Sequence, residues 1–224
     1  GFEFDRVVVI DADVLPISNY EALLHVDAPA GVLNEDKSHF AETDEGGQYV
    51  IPPEAAEGRW IWHRIYADCL HGQLVPKHIS DRPGHDPKNM GFNGSLFVMK
   101  PSMAEYRSIL KDLERPSVMR LVGDQFDWPD MQYLTMRWSG QWRNLDVRYS
   151  ALNGYPSLDV LYGTHFAGFK PWYFQRPKAM ERYVRYPDFQ LWFSRFEELM
   201  VAYPQLLKLG KLKRLREAIS KVRQ

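Results

Sequence analysis

The strongest indication of the fold lies in residues 4–13, Phe-Asp-Arg-Val-Val-Val-Ile-Asp-Ala-Asp. Its centre, residues 7–10, is a short apolar run of the kind found in strands buried within parallel sheets. The run ends in two carboxylates, Asp11 and Asp13, which are separated by one small residue. In open α/β sheets, ligands bind beyond the carboxyl ends of the strands. The pattern therefore predicts an α/β fold with a ligand site directly after this strand.

Two carboxylates this close together repel each other unless a cation joins them. A divalent metal held between them would bridge the phosphates of a nucleotide diphosphate and neutralise charge on that leaving group. An Asp-x-Asp triplet also occurs by chance as a turn cap, and the triplet alone favours that alternative. Its position after an apolar strand makes the two interpretations about equally strong.

A second segment, residues 163–172, supports the ligand-site interpretation. It reads Gly-Thr-His-Phe-Ala-Gly-Phe-Lys-Pro-Trp. His165 is a good ligand for a borderline metal such as manganese, the small residues allow backbone to approach a phosphate, and Lys170 supplies a positive charge for it. A single histidine is more often a structural residue, but this combination at this spacing is harder to attribute to chance.

Together these segments resemble the glycosyltransferase family 8 enzymes, which include glycogenin, galactinol synthase and bacterial galactosyltransferases of lipooligosaccharide assembly. The resemblance covers roughly residues 4–175. Residues 4–13 are similar to the family's strand and Asp-x-Asp motif, and residues 165–172 to its His-x-x-Gly-x-Lys-Pro-Trp motif. Residues 92–95 with 100–102 resemble its Phe-Asn-small-Gly strand, which lines the donor sugar.

The resemblance implies a GT-A-type, Rossmann-like fold for nucleotide-diphospho-sugar transfer, and it implies roles for individual residues. By it, Asp11, Asp13 and His165 hold Mn²⁺. Lys170 contacts the diphosphate of a UDP-sugar, which is the donor substrate. The other donor contacts that it implies are Ala12, Asn93 and Gly168.

Residues 129–135, Pro-Asp-Met-Gln-Tyr-Leu-Thr, resemble the family's acidic-Gln-x-x-Leu-Asn segment beside the reaction centre. This likeness implies catalytic roles for Asp130 and Gln132. Asp130 is either a transient nucleophile or a group that stabilises an oxocarbenium-like state, and the sequence does not choose between them. Asp124-Gln125 is a second match to the acidic-Gln pair, but it lacks the Leu-Asn that should follow.

Three features depart from the family's pattern. Met131 stands where the family usually has glutamine, and Gln132 comes one residue late. Residues 93–95, Asn-Gly-Ser, reverse the usual small-then-Gly order. These changes leave the donor sugar and the stereochemistry open. The family's first strands, which hold uridine and ribose, should also precede residue 1, so we expect this to be an N-terminally truncated form of the fold.

The implied reaction moves a hexosyl unit from a UDP-sugar to a hydroxyl group of a carbohydrate, protein or lipid acceptor, with retention of configuration. Aromatic residues suited to an acceptor surface are Trp128, Trp138, Trp142 and Tyr155, although each is more often explained as an ordinary core aromatic. Two alternatives stay open. One is a non-catalytic nucleotide-sugar-binding module in which Met131 marks lost chemistry, and the other is a metal-dependent hydrolase of nucleotide sugars.

The composition excludes several classes of protein and kinds of site. The chain has 224 residues, of which 45% are hydrophobic, so it can bury a core. Its formal net charge of -1 argues against a nucleic-acid partner. Cys69 is the only cysteine, which excludes an intramolecular disulfide and a cysteine-based zinc site. This suits a reducing compartment and favours a cytoplasmic location.

The remaining pattern predicts a mixture of helices, strands and loops. Further strands are predicted at residues 92–99 and 159–162. Helices are predicted at residues 20–24, 60–71, 103–113, 130–137 and 189–203. Ser102 is the predicted N-cap of the third of these, with Glu105 at its third position. Irregular segments are predicted at residues 34–58, 76–91 and 163–172.

The chain is predicted to divide near Pro204 into residues 1–204, the C-terminal portion of a glycosyltransferase domain, and residues 205–224, a basic amphipathic helix. Apolar residues recur at helical spacing among the lysines and arginines of this tail. Such a helix is suited to an anionic membrane surface or a partner protein. The alternative is a terminal helix that packs on its own domain.

Overall fold

The computed structural model describes residues 4–33, 69–152, 158–159, 161–184 and 186–223. The strands are β1 (Val7–Ile10), β2 (Val14–Pro16), β3 (Ala30–Leu33), β4 (Phe92–Met99), β5 (Arg143–Asn144), β6 (Ala151–Leu152) and β7 (Gly163–His165). The α-helices are α1 (Lys77–Ser80), α2 (Arg82–His85), α3 (Met103–Leu113), α4 (Pro116–Arg120), α5 (Pro129–Arg137), α6 (Pro177–Tyr183), α7 (Pro187–Ala202) and α8 (Gly210–Val222). Short 3-10 segments lie at Glu21–His25, Val147–Tyr149 and Pro204–Lys208, and a π-type turn lies at Leu121–Gln125.

The described residues form a mixed α/β structure with two open sheets. The four-stranded sheet has the order β1-β4-β3-β5, and the three-stranded sheet has the order β2-β7-β6. This confirms the α/β class. The predicted parallel pairing of β1 is wrong, because β1 pairs antiparallel with β4 and is an edge strand of the described sheet. An apolar run predicts a strand, but it does not encode the direction of the neighbouring strand.

Strand β4 is the centre of the larger sheet and occupies the residues predicted for it. Leu96 and Val98 are fully buried on one face, where they join a core that includes Leu23 of the first 3-10 segment. Phe92 lies in a second core and stacks on Trp142, with ring centroids 4.1 Å apart. Burial of these side chains on both faces fixes β4 as the rigid support for the residues at its two ends.

The chain passes from one sheet to the other through the turn at residues 11–13. The amide of Asp11 donates a hydrogen bond to the carbonyl oxygen of Ser95 in β4, at 2.9 Å. The amide of Phe166, directly after β7, donates to the carbonyl oxygen of Asp13, also at 2.9 Å. The Asp-x-Asp turn is therefore tied to both sheets, and its side chains lie at the junction between them.

Helix α3 covers the residues predicted for it, and Ser102 caps it by accepting a hydrogen bond from the amide of Glu105, at 3.1 Å. Helices α5 and α7 also confirm their predictions to within two residues at each end, and α7 ends before Pro204 as expected. These helices carry strong local signals, which are a capping serine or a proline in the first turn.

Two predictions of local structure are wrong. Residues 76–91 contain the one-turn helices α1 and α2, because Pro76 and Pro83 lie at helix starts, where proline is tolerated. The strand predicted at residues 159–162 lies instead at 163–165, inside a predicted loop. That segment gains strand pairing from β2 and β6, which no local pattern reveals. Residues 34–58 and most of 60–71 lie outside the described residues.

The C-terminal helix α8 packs its apolar side on the protein. Leu215 and Ile219 are 4% and 1% exposed, and they share a core with Phe193 and Met200 of α7. The structure therefore has the tail packed on the preceding residues, the alternative that the sequence left open. No helix within the described ranges is long and apolar enough to span a bilayer.

Candidate metal centre

The structure brings together the three residues that the sequence assigns to a metal. Asp11, Asp13 and His165 each offer one ligand atom, and these atoms all lie within 4.8 Å of one another. The Nε2 atom of His165 lies 3.5 Å from Oδ1 of Asp13. Asp11 is exposed at the rim, whereas His165 is buried. The cluster is therefore open to a ligand from one side and closed by protein on the other.

Strand pairing brings the distant histidine to the carboxylates. His165 pairs with Val14 of β2, the residue after Asp13, in antiparallel register. Two residues earlier, a Cβ added to Gly163 would overlap the hydroxyl oxygen of Tyr20 and come within 2.7 Å of the carbonyl oxygen of Tyr149. Only glycine allows this close approach, so Gly163 is required for β7 to reach its place beside β2.

A buried hydrogen bond fixes β7 from its other side. The hydroxyl of Thr164 donates to Oδ2 of Asp188, at 3.2 Å, and both residues are buried. Asp188 lies in the first turn of α7, where a carboxylate also interacts favourably with the helix dipole. The histidine is thereby held between β2 and the amino-terminal end of α7.

Lys170 lies 157 residues along the chain from Asp13, and its ammonium group donates to Oδ2 of that aspartate. It also donates to the carbonyl oxygen of Phe166. The other carboxylate oxygen of Asp13, Oδ1, is buried and accepts no hydrogen bond from the part of the chain that the structure describes. A buried carboxylate oxygen without a donor is costly, and a cation is the ligand that would satisfy it.

The electrostatics of the cluster favour a cation. The pKa of Asp11 is raised above its usual value, first by partial burial of the carboxyl group and then by the negative charges of Asp13 and Asp130. Lys170 opposes this increase but does not cancel it. Three carboxylates therefore make the electrostatic potential at this site negative, and the positive charge of Lys170 compensates only part of it.

Asp130 reaches this site from the first turn of α5. If Gly94 of β4 carried a Cβ, that atom would lie 3.9 Å from Oδ2 of Asp130 and 3.2 Å from Cγ of Met131. The amino-terminal end of α5 thus packs against β4 close to Ser95, the residue that binds the amide of Asp11. The predicted reaction-centre carboxylate and the predicted metal ligands lie in one place.

Gln132 does not fit the catalytic role predicted for it. Its side chain is fully buried, and its carbonyl oxygen accepts a hydrogen bond from the amide of Trp128, at 2.7 Å. Its amide nitrogen donates to the carbonyl oxygens of Pro87 and Asn89, at 2.5 and 2.9 Å. Because its amide is engaged inside the protein, it has no group left for a substrate. Its role is to fix the first turn of α5.

The predicted donor contacts differ in exposure. Ala12 and Gly168 are exposed, and within the described residues no atom lies within 4 Å of a Cβ added to Gly168. Asn93 is half-buried, and its side-chain oxygen accepts a hydrogen bond from the amide of Ser95, at 2.9 Å. Their contact with a donor stays a prediction. The rival acidic residue Asp124 is exposed in the π-type turn and is absent from the metal cluster.

The aromatic residues predicted for the acceptor surface differ in exposure. Trp142 is 2% exposed and stacks on Phe92, so it belongs to the core and the prediction for it is wrong. Trp138 is half-buried, and its indole N–H donates to Glu105, at 2.9 Å. Trp128 is 39% exposed and precedes α5, so its contact with an acceptor stays a prediction. Tyr155 lies outside the described residues.

Sequence reasoning missed the residues that support the site from behind. The hydroxyl of Tyr20 donates to the carbonyl oxygen of Tyr149, and burial raises the pKa of Tyr20, which keeps it protonated as a donor. Asp188 holds Thr164, as described above. A local signal exists for Asp188, because it follows Pro187 at a helix start. None exists for Tyr20, whose partner is 129 residues away in the sequence.

Comparisons with known proteins add a distant relative. No protein-family model matches the chain, and no solved structure matches it. Over 179 residues it is 22% identical to an uncharacterized protein of Acanthamoeba polyphaga mimivirus. The match covers 76% of this chain and 50% of that protein, so the chain spans about half the length of this relative. Because the relative is itself uncharacterized, the similarity assigns no activity.

Proposed function

We propose that this chain carries the metal and diphosphate site of a glycosyltransferase that resembles family 8 and has a GT-A-type fold. The proposed reaction moves a hexosyl unit from a UDP-sugar to a hydroxyl group of a carbohydrate, protein or lipid acceptor, with retention of configuration. The observation that carries the proposal is the meeting of Asp11 and Asp13 with His165 and Lys170. These two segments are far apart in sequence, and both belong to motifs that the family uses together.

The donor set suits a divalent metal such as Mn²⁺. Two carboxylates and one imidazole are the mixed oxygen and nitrogen ligands that such ions accept. Oδ1 of Asp13, which is buried without a hydrogen-bond donor in the described chain, supports this fit. Asp11, Asp13 and His165 would hold the ion. When bound, it would supply positive charge to the leaving diphosphate.

The chain's own residues would perform the rest of the work. Lys170 would bind the diphosphate as a point charge. Asp130 would lie toward the sugar, either as a transient nucleophile or as a negative group that stabilises an oxocarbenium-like state. Gln132 would keep Asp130 in position by fixing the first turn of α5.

A second candidate function is a nucleotide-sugar-binding module without turnover. The observation that favours it is the position of Met131, whose side chain packs toward Gly94 beside Asp130. In the family this position usually carries glutamine, a polar group close to the reacting carbon. A methionine there retains packing but supplies no hydrogen bond.

The test is Mn²⁺-dependent release of UDP by the full-length protein. It uses a panel of UDP-sugars, with and without a mixture of oligosaccharide acceptors. The wild type is compared with Asp13→Ala and His165→Ala. Matched controls are Glu198→Ala and His78→Ala, which remove exposed residues of the same chemistry on α7 and α1. Circular dichroism shows that each variant is folded.

The proposal predicts that one UDP-sugar is turned over faster with acceptor, and that only the two site variants lose this activity. UDP release at the same rate with and without acceptor would indicate a hydrolase. Mn²⁺-dependent UDP binding without release would indicate the binding module. Activity that survives both site substitutions would mean that the metal lies elsewhere.

A further inference from the structure

Helix α3 divides its apolar residues between two sides. Ile109 and Leu113 are half-buried, as are Glu105 and Asp112, while Met103, Tyr106 and Leu110 are exposed. None of its residues is buried. It is held through carboxylates, since Glu105 accepts hydrogen bonds from Nε of Arg137, at 3.0 Å, and from the indole N–H of Trp138, at 2.9 Å. An ordinary surface helix gathers its apolar residues on the side that faces the protein, so three exposed apolar residues on α3 are unusual.

A second carboxylate strengthens the same contact. Oδ2 of Asp112 accepts a hydrogen bond from the hydroxyl of Tyr133, at 3.1 Å, and lies 3.6 Å from the guanidinium of Arg137. Tyr133 and Arg137 both belong to α5. Glu105 and Asp112 therefore fix α3 against α5, and the helix cannot turn its exposed apolar residues inward without breaking these bonds.

Three apolar residues of α3 are exposed. Met103, Tyr106 and Leu110 are 63%, 52% and 45% exposed. Their spacing of three and four residues places them on one side of the helix, which we call the outer face. Met119 of the adjoining helix α4 is a further exposed apolar residue, at 50%. Apolar side chains concentrated in this way mark an interaction surface.

Basic residues border the outer face. Arg107 and Lys111 each follow an outer-face residue by one position, which places them about 100° around the helix from it. Both are exposed, and neither forms an ion pair within the described part of the chain. Glu114, directly after α3, is an exposed acidic residue next to these basic ones. The border therefore carries an excess of positive charge.

We propose that α3 is an interfacial helix through which the protein binds a membrane surface containing anionic lipids. In helices of this type the apolar side enters the boundary between headgroups and acyl chains, while basic side chains reach the headgroups. Tyr106 suits that boundary, because its ring is apolar and its hydroxyl is polar. The uncompensated positive charge favours an anionic surface over an apolar protein partner.

The C-terminal helix is less suited to this role. Its apolar residues Leu215 and Ile219 are buried in the core, so α8 can offer a membrane only its basic side chains. Helix α3 offers both an apolar face and basic residues. The membrane contact that the sequence suggests for the tail is thus better supported at α3.

Helix α5 connects this surface to the candidate metal centre. Tyr133 and Arg137 hold α3, and Asp130 in the first turn of the same nine-residue helix lies beside the metal cluster. A membrane-bound α3 would hold the site one short helix away from the lipid surface. This last consequence rests on the proposed function, whereas the membrane contact itself does not.

The test is sedimentation of the full chain with phosphatidylcholine vesicles, with and without phosphatidylserine. One variant joins Tyr106→Ser to Leu110→Ser, and another joins Arg107→Gln to Lys111→Gln. Matched controls are Val201→Ser, which changes an apolar residue that is 72% exposed, and a double variant Lys211→Gln with Lys213→Gln on α8. Thermal unfolding shows that each variant retains its fold.

We expect binding to vesicles that contain phosphatidylserine and weaker binding as salt is added. Each α3 variant should lose at least about tenfold in affinity, and the controls should retain it. The proposal is overturned if the wild-type protein does not bind vesicles that contain phosphatidylserine, or if only the α8 variant loses binding. It is also overturned if light scattering shows a dimer that the Tyr106 and Leu110 substitutions dissociate while vesicle binding is absent.

Discussion

Two groups of acidic residues in this protein have the same chemistry and opposite surroundings. Around α3, Asp112 accepts a hydrogen bond from a tyrosine hydroxyl, and Glu105 accepts hydrogen bonds from Arg137 and from an indole N–H. The two bonds to Glu105 hold the pKa of that carboxyl group below its usual value. At the junction of the sheets, the pKa of Asp11 is raised, because burial and neighbouring carboxylates act on it. We call the first the closed group and the second, with Asp13 and Asp130, the open group.

The difference separates carboxylates that hold the fold together from those that are available to a ligand. In the closed group, donors from α5 satisfy the carboxylates. In the open group, a lysine meets one oxygen of Asp13, and no donor in the described residues meets the other. Groups with perturbed ionisation and unmet hydrogen-bonding capacity concentrate at functional sites. Substitutions should therefore affect function in the open group and stability in the closed group.

The largest expected effect is the loss of activity when the open group loses Asp13. On the proposed function, Asp13→Asn should lower Mn²⁺-dependent turnover by roughly 10²–10³-fold, because it removes a charged ligand of the proposed metal. The free energy of unfolding measured without metal should change little, since relief of the repulsion among the carboxylates offsets the lost ion pair with Lys170. Urea unfolding and UDP release measure the two quantities. A large loss of stability would contradict the comparison, because it would make Asp13 a structural residue.

A stability effect of about 2–3 kcal/mol is expected at Gln132, which lies in α5 between the two groups. Gln132→Leu leaves the carbonyl oxygens of Pro87 and Asn89 and the amide of Trp128 without their partner. Urea unfolding measures the loss, with the exposed Gln125→Leu as the matched control. If Gln132→Leu instead abolished turnover at unchanged stability, the catalytic role predicted from the sequence would be restored.

Lys170 should weaken Mn²⁺ binding when no diphosphate is present. Its ammonium contacts Asp13, so Lys170→Ala removes a positive charge that competes with a divalent cation. We expect Mn²⁺ affinity to rise by about tenfold, which corresponds to about 1.4 kcal/mol, while UDP binding becomes weaker. Electron paramagnetic resonance of free Mn²⁺ measures the first change and calorimetry with UDP the second. A decrease in Mn²⁺ affinity would show that Lys170 supports the ligand cluster instead of competing with it.

The sequence predicts the metal ligands of the open group better than it predicts burial at Trp142 and Gln132, for a physical reason. Asp11, Asp13 and His165 belong to short motifs next to strands, so their meeting follows from local pattern and resemblance. Trp142 and Gln132 look like surface or catalytic candidates in the sequence, yet both are buried through contacts with distant residues. The outward orientation of α3 is equally hidden. Its apolar spacing resembles that of α8, and tertiary contacts decide that α8 buries two of its apolar residues whereas α3 buries none.

The smallest expected effect is the pH dependence of the closed group. The pKa of Glu105 lies below its usual 4.5, so its ionised form favours the folded state. Its contribution is complete above pH 4.5 and is lost as the pH falls through the folded-state pKa. Because the side chain is partly exposed, Glu105→Gln should cost only about 1 kcal/mol at neutral pH.

Urea unfolding of wild type and Glu105→Gln at a series of pH values measures this difference directly. The other titrating groups are common to both proteins and cancel in the comparison. Glu198→Gln, whose pair with Arg195 is exposed, is the control and should change stability by less than about 0.5 kcal/mol at any pH. If wild type and Glu105→Gln differ in free energy of unfolding by the same amount at low pH, the effect comes from packing of the side chain and not from its charge. In that case ionic bonds to α5 would not be what keeps α3 in its outward orientation.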